Sequence, residues 1–232
     1  MRLRPNPDLL WGPPPRESYR VTTSRTEILH LVVAFLVLTL DIAIVRARIS
    51  VSGVPGYLDL SNFALGLGIA AVAALTGFVA HEMAHKVVAQ RHGFWAEFRM
   101  SPAGLLFSLA TSLLGFLFAL PGATVIGGMG SRREWGETSL AGPLVNLGEG
   151  GVFFGASVVA WPLTHSVELW VALTFLALVN GIFAAFNLVP VGPLDGRKVL
   201  RWNPTLWGAS FGASLVFTVG LGALLLLGYP SL

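Results

Sequence analysis

The sequence predicts an all-α polytopic membrane protein: about five full transmembrane helices and a re-entrant or interfacial segment, with two short extended pieces. Three observations lead there. Only 12% of the 232 residues are charged and 54% are hydrophobic, whereas a soluble domain carries about 25% charged residues. Several apolar runs are long enough to cross the roughly 30 Å of a bilayer's hydrocarbon. Finally, the basic residues segregate to one side of the membrane when five of these runs cross it, as the positive-inside rule requires.

Residues 1–26 read as a polar cytoplasmic arm with Arg2, Arg4, Arg16, Arg20 and Arg25 and a Trp11-Gly-Pro-Pro-Pro15 stretch. No early apolar core marks a signal peptide there. Residues 27–232 form a single transmembrane domain. The first span covers 27–47. Asp41 lies inside it near the far end, and its expected role is that of an acid snorkelling to the interface, with a buried partner in the bundle as the alternative. Residues 48–61 (Arg48 to Ser61) are rich in turn formers and form a loop. The second span covers about 62–90 and stops near Arg91-His92-Gly93. Extended pieces at 94–100 and 122–128 flank an apolar stretch, Gly104–Leu120, and a charged loop follows at Ser131–Glu137. Further spans cover about 138–162, 166–190 and 206–228. Trp161 and Trp170 flank the turn between the first two of these as interface anchors, and 191–205 form a basic loop.

Chemistry concentrates in the second span, in Phe78-Val-Ala-His-Glu-Met-Ala-His-Lys-Val-Val-Ala-Gln90. Residues four apart share a helix face, so the imidazoles of His81 and His85 can grip one metal ion. Glu82 adjoins the first His, where its carboxylate can take a proton from an activated water. Cysteine is absent, which excludes disulfides and thiolate ligands, so a zinc ion here needs His, Asp, Glu or water. The net charge of +3 reflects loop topology rather than nucleic-acid binding.

A catalytic zinc takes three protein ligands and keeps a fourth position open. His92 has the wrong spacing for the third, His30 and His165 lie at the wrong ends of their spans, and Glu97 is at the surface. Asp195 is the favoured candidate. It closes Phe186-Asn-Leu-Val-Pro-Val-Gly-Pro-Leu-Asp-Gly196, where Pro and Gly break an apolar helix, and a broken helix at membrane depth is tolerated where it lines a cavity. Glu149, flanked by glycines within a span, stays open as an alternative. For Asp195 to reach the two imidazoles, the second span and the 166–190 span must exit on the same side, so Gly104–Leu120 has to dip and return or lie along the interface rather than span. That arrangement puts thirteen Lys and Arg on one side against two on the other, whereas six full spans give eight against seven. Five spans are therefore expected, with the site opening to the cytoplasm from the cell membrane.

Three ordered motifs, His81-Glu-Met-Ala-His85, Ala141-Gly-Pro-Leu-Val-Asn146 and Asn187-Leu-Val-Pro-Val-Gly-Pro-Leu-Asp-Gly196, resemble the site-2 protease family of intramembrane zinc metalloproteases in a minimal form without a PDZ domain. The resemblance covers a catalytic core of about 62–200. It implies one Zn2+ held by His81, His85 and Asp195, Glu82 as general base, and a transmembrane helical protein as substrate. It further implies that Asn146 helps to position substrate or stabilise the oxyanion. Family members often follow the H-E-x-x-H helix with a membrane-dipping β-hairpin, which the two extended pieces can form; the apolar stretch between them departs from the simplest members. The rival reading is a divalent-metal transporter or an inactive membrane scaffold. A transporter should show repeated broken helices, and only the segment around Pro190–Pro193 is broken in this way.

Overall fold

A computed structural model describes residues 21–50 and 60–227. The expected arm at 1–26 therefore lies mostly outside the described residues, as do 51–59 of the expected loop. In chain order the elements are α1 (Arg25–Ser50), α2 (Leu60–Ala74), a π-helical turn (Leu75–Ala80), α3 (His81–Arg91), β1 (Trp95–Met100), α4 (Pro102–Leu113), β2 (Gly122–Gly127), α5 (Arg132–Thr164), α6 (Val167–Asn187), α7 (Asp195–Trp202) and α8 (Pro204–Leu227).

Five stretches among the described residues are helical, long and apolar enough to cross a membrane: Arg25–Arg48, Phe63–Arg91, Arg132–Thr164, Val167–Asn187 and Pro204–Leu225. The chain is an integral membrane protein, and its described residues hold the expected five spans. Gly104–Leu120 does not cross. Its helix, α4, has only 12 residues, about 18 Å at 1.5 Å per residue. Ser101 caps it by accepting a bond from Gly104 N, with Pro102 in its first turn. Past Leu113 the chain turns at Gly115 (φ 97°) and runs back through 116–121 into β2. The β-hairpin forms as expected, antiparallel, with Trp95 opposite Gly127 and Met100 opposite Gly122.

Buried apolar side chains tie the first half together: Ala34 and Leu38 of α1, Phe78 of the π turn, Phe98 of β1 and Leu105 of α4 share one cluster. Phe78 and Phe98 meet edge to face at 5.4 Å. α5 and α6 form an antiparallel pair closed by a two-residue turn at His165 and Ser166, with His165 in the left-handed region at φ 49°.

Several expectations are corrected. The charged loop at Ser131–Glu137 is the opening of α5: Ser131 and Glu134 form a capping box, each side chain accepting from the other's backbone N–H, which starts the helix ahead of the apolar run. The basic loop at 191–205 contains α7. Trp170 is no interface anchor but a buried residue.

Asp41 does not snorkel. It is fully buried, and its two carboxylate oxygens accept bonds from Ser108 Oγ at 2.7 Å and Ser112 Oγ at 3.1 Å. Those serines are four apart on α4, so one helix face presents both donors to one carboxylate. Lys86, one of the thirteen basic residues counted on the positive side, is fully buried. Its Nζ is buried against Glu27 Oε2 at 2.5 Å and donates to Thr23 Oγ1 at 2.9 Å, while the other Glu27 oxygen accepts from Phe98 N at 3.0 Å.

That pair generates a prediction. Lys86→Met leaves Glu27 buried without its cation and should destabilise the fold by about 3–5 kcal/mol. Adding Glu27→Gln removes the orphaned charge and should recover a substantial part of the loss. Thermal unfolding of the single and double variants in detergent micelles measures both.

Candidate metal centre

His81 and His85 project from the first two turns of α3, and Asp195 from the first residue of α7. Their ligand-capable atoms converge. His81 Nε2 and His85 Nε2 are 3.0 Å apart, and Asp195 Oδ2 is 3.5 Å from the first and 3.0 Å from the second. Among the described residues this is the one group of three or more His, Asp or Glu able to hold a metal ion. Four-coordinate zinc with ligands at about 2.0–2.1 Å spaces them about 3.3 Å apart, which is the scale of these separations.

The hydrogen bonds on the far side of each ring fix what the near side offers. His85 Nδ1 lies 2.7 Å from the carbonyl of Thr138, a group that only accepts, so His85 donates there. His81 Nδ1 lies 2.6 Å from Asn146 Oδ1. The Asn146 amide is oriented by its nitrogen, which faces the Gly77 carbonyl at 3.0 Å, Asn180 Oδ1 at 3.1 Å and the Thr76 carbonyl at 3.4 Å. Its oxygen therefore accepts, and His81 donates from Nδ1 as well. Both Nε2 atoms then carry lone pairs aimed at each other and at a carboxylate. Such a cluster needs a positive centre among its members. A proton on one Nε2 satisfies only part of it, whereas a divalent cation satisfies all three. Orientation of a ligand imidazole through its other nitrogen is the usual outer support of a metal site.

Asp195 is outside the spanning segments and largely buried. Burial pushes its carboxyl up, but when the cluster holds a proton, the imidazole carrying it outweighs that and holds the carboxyl well below the usual carboxylate range. Its other oxygen lies 3.7 Å from Lys198 Nζ, one turn along α7.

The close approach of α5 depends on Gly142. A Cβ there would stand 2.6 Å from His85 Nε2 and 2.7 Å from His81 Nε2. Gly196 does the same for α7: a Cβ would fall 1.9 Å from the Leu188 carbonyl oxygen, so the helix carrying Asp195 could not seat on the end of α6.

Glu82 points into the same space. Its Oε2 accepts from Thr124 N at 2.8 Å and Thr124 Oγ1 at 2.7 Å, both from β2. The cavity measures about 280 Å³ and runs from His81, Glu82, His85 and Asp195 along β2 to Phe183 and Phe186 of α6.

The structure thus brings together His81, His85, Asp195, Glu82 and Asn146. It leaves the other candidates apart: His92 pairs with Glu137 at 3.2 Å, Glu97 with Arg99, and Glu149 is not in the cluster. Sequence reasoning missed Gly142, Thr124, Asn180 and the Thr138 carbonyl. Gly142 had a signal, since it lies in the Ala141–Asn146 motif; the Thr138 carbonyl, a backbone group, had none.

Three proteins resemble this chain, each carrying a provisional name as a zinc metalloprotease. One from Methanocaldococcus jannaschii, MJ0611, is 35% identical over 167 residues, which are 71% of this chain and 86% of that protein. Rip3 of Mycobacterium tuberculosis is 33% identical over 150 residues, 64% of this chain but only 34% of Rip3. A Synechocystis protein, sll0528, is 30% identical over 144 residues, 59% of this chain and 31% of that protein. No family model matches the chain, and no solved structure does.

Gly142→Ala should fill the space between α5 and the imidazoles and strip the site of divalent metal. The helix itself tolerates the change, since Ala is favoured over Gly in helix interiors by about 1 kcal/mol. Metal content per protein, measured on folded material after dialysis, should fall from near one to near zero.

Proposed function

The chain belongs to the site-2 protease family, and from that premise and the geometry of its buried cluster we propose that it is an intramembrane zinc metalloprotease that hydrolyses peptide bonds of transmembrane protein substrates. The observation that carries the reading is the convergence of His81 Nε2, His85 Nε2 and Asp195 Oδ2 beside Glu82 in one cavity. Neutral imidazoles and a carboxylate suit Zn2+ and leave a fourth position open. Bound there, zinc supplies Lewis-acid polarisation of the scissile carbonyl and acidifies a water toward neutrality.

The protein's own groups do the rest. Glu82 accepts the proton of the attacking water and passes it to the leaving amine. Asn146 holds His81 in the tautomer that presents Nε2, which makes it a positioning residue in this chain; its oxygen and its nitrogen are both engaged within the helices. Substrate has to unwind first, because helical hydrogen bonds shield its carbonyls. The edge of β2 facing away from β1 can receive an extended segment by strand addition through its groups other than the Thr124 N–H, which Glu82 holds, and apolar Phe183 and Phe186 line the cavity beside it. The basic residues near the site's end of the spans support an opening toward the cytoplasm from the cell membrane.

Glu82→Gln should retain one zinc per chain and lose cleavage of a membrane-protein substrate in detergent by about 10²–10⁴-fold. Retained cleavage would overturn the hydrolase reading. A wild type that binds zinc and cleaves no membrane protein would favour a metal transporter or silent scaffold instead. Asn146→Leu should weaken zinc binding by about 10–100-fold, read by competition with a chromogenic chelator.

A further inference from the structure

We propose that Thr124 of β2 is a positioning residue for the general base, clamping one oxygen of Glu82 so that the other is presented to the attacking water. The inference rests on Glu82 acting as base, and adds a residue outside the metal cluster.

Thr124 gives two donors to a single oxygen. Its backbone N–H reaches Glu82 Oε2 at 2.8 Å and its hydroxyl reaches the same atom at 2.7 Å. The hydroxyl is only 3.2 Å from the Glu82 backbone carbonyl, so its one hydrogen is best used on the carboxylate, where a charge-assisted bond is shorter and stronger. Two bonds to Oε2 fix the rotation of the carboxylate plane, and Oε1 keeps its lone pairs for a proton. The clamp also restrains a carboxylate whose neighbour in sequence is His81. Left free, it could swing onto the metal and take the coordination position that water needs.

The strand is built to make this contact. Thr124 lies opposite Phe98, and Phe98 N donates to Glu27 rather than to β2. The two face each other as a non-hydrogen-bonded pair of the ladder, so the Thr124 N–H turns away from β1 toward α3. The same edge borders the cavity, which puts the base and the surface proposed to receive substrate on one rigid piece.

Thr124→Val and Thr124→Ser separate positioning from folding. Valine matches threonine in shape and favours strands, whereas serine favours them less. A purely structural role predicts that valine is the better tolerated. The positioning role predicts the reverse: Thr124→Val lowers kcat by about tenfold or more with KM and zinc content held, and Thr124→Ser restores most of the rate. A second readout needs no turnover. The carboxylate stretching band of Glu82, identified by its loss in Glu82→Gln, should shift in Thr124→Val and stay near its wild-type position in Thr124→Ser. An unshifted band in Thr124→Val overturns the proposal, as does wild-type kcat in that variant. A wild type that cleaves nothing removes the reading of Glu82 as base, and this inference with it. Cleavage that is lost in Glu82→Gln but intact in Thr124→Val removes this inference alone.

Discussion

Three lone pairs aimed at one point make up the constraint around which the helices are arranged. Two imidazole nitrogens 3.0 Å apart, each with its proton committed to the opposite side of its ring, repel each other and the carboxylate oxygen beside them. That repulsion is tolerable only because a cation can relieve it. The surrounding protein keeps the arrangement in place. The Thr138 carbonyl and the Asn146 amide hold the rings from behind, and α7 brings in the carboxylate at a helix N-terminus, where negative charge is favoured.

Holding the rings demands an unusually close fit between α3 and α5. Gly142 leaves room for the imidazole edges, and the adjacent Pro143 has no N–H to offer the Ser139 carbonyl, loosening α5 at this level. On the other side, the carbonyls of Thr76 and Gly77 in the π turn at Leu75–Ala80 face the Asn146 nitrogen. Asn180 of α6 completes the chain: its oxygen accepts from Asn146, and its nitrogen donates to Thr76 Oγ1 at 3.0 Å and the Leu176 carbonyl at 3.0 Å. The π turn is thus part of the site. It is one of the local departures from regular helix that recur at functional positions.

What could be read from the sequence follows from the range of each interaction. The spans, the dipping segment and the hairpin were legible because hydropathy, strand alternation and charge asymmetry are local or summed quantities. His81, Glu82 and His85 were legible because their spacing on one helix is itself the signal. Asp195 required a topological argument joining residues more than a hundred positions apart, and the helix break at Pro190–Pro193 provided it. The α5 start was missed because Ser131 and Glu134 were read as charged loop residues instead of as a reciprocal cap. The burial of Asp41 and Lys86 was hidden for a shared reason: their partners, Ser108 with Ser112 and Glu27, lie 59 or more positions away in sequence. A charge without a visible partner reads as solvated, and only the tertiary fold shows otherwise.

These two buried ionisable groups explain the part played by α1, which gives no residue to the metal cluster. Near its start, Glu27 binds Lys86 of α3 and the Phe98 N–H of β1; near its other end, Asp41 binds both serines of α4. The chain from α3 through β1 and α4 is therefore braced against one helix at two levels, by charges that would be costly at membrane depth if left unpaired. β2 pairs with β1 along its length, so that brace also sets where Thr124 meets Glu82. Moving the hairpin would require opening a buried ion pair or stripping a buried carboxylate of its donors. The base and the strand edge beside it are thereby held in register with the imidazoles, which is the positional accuracy that proton transfer demands.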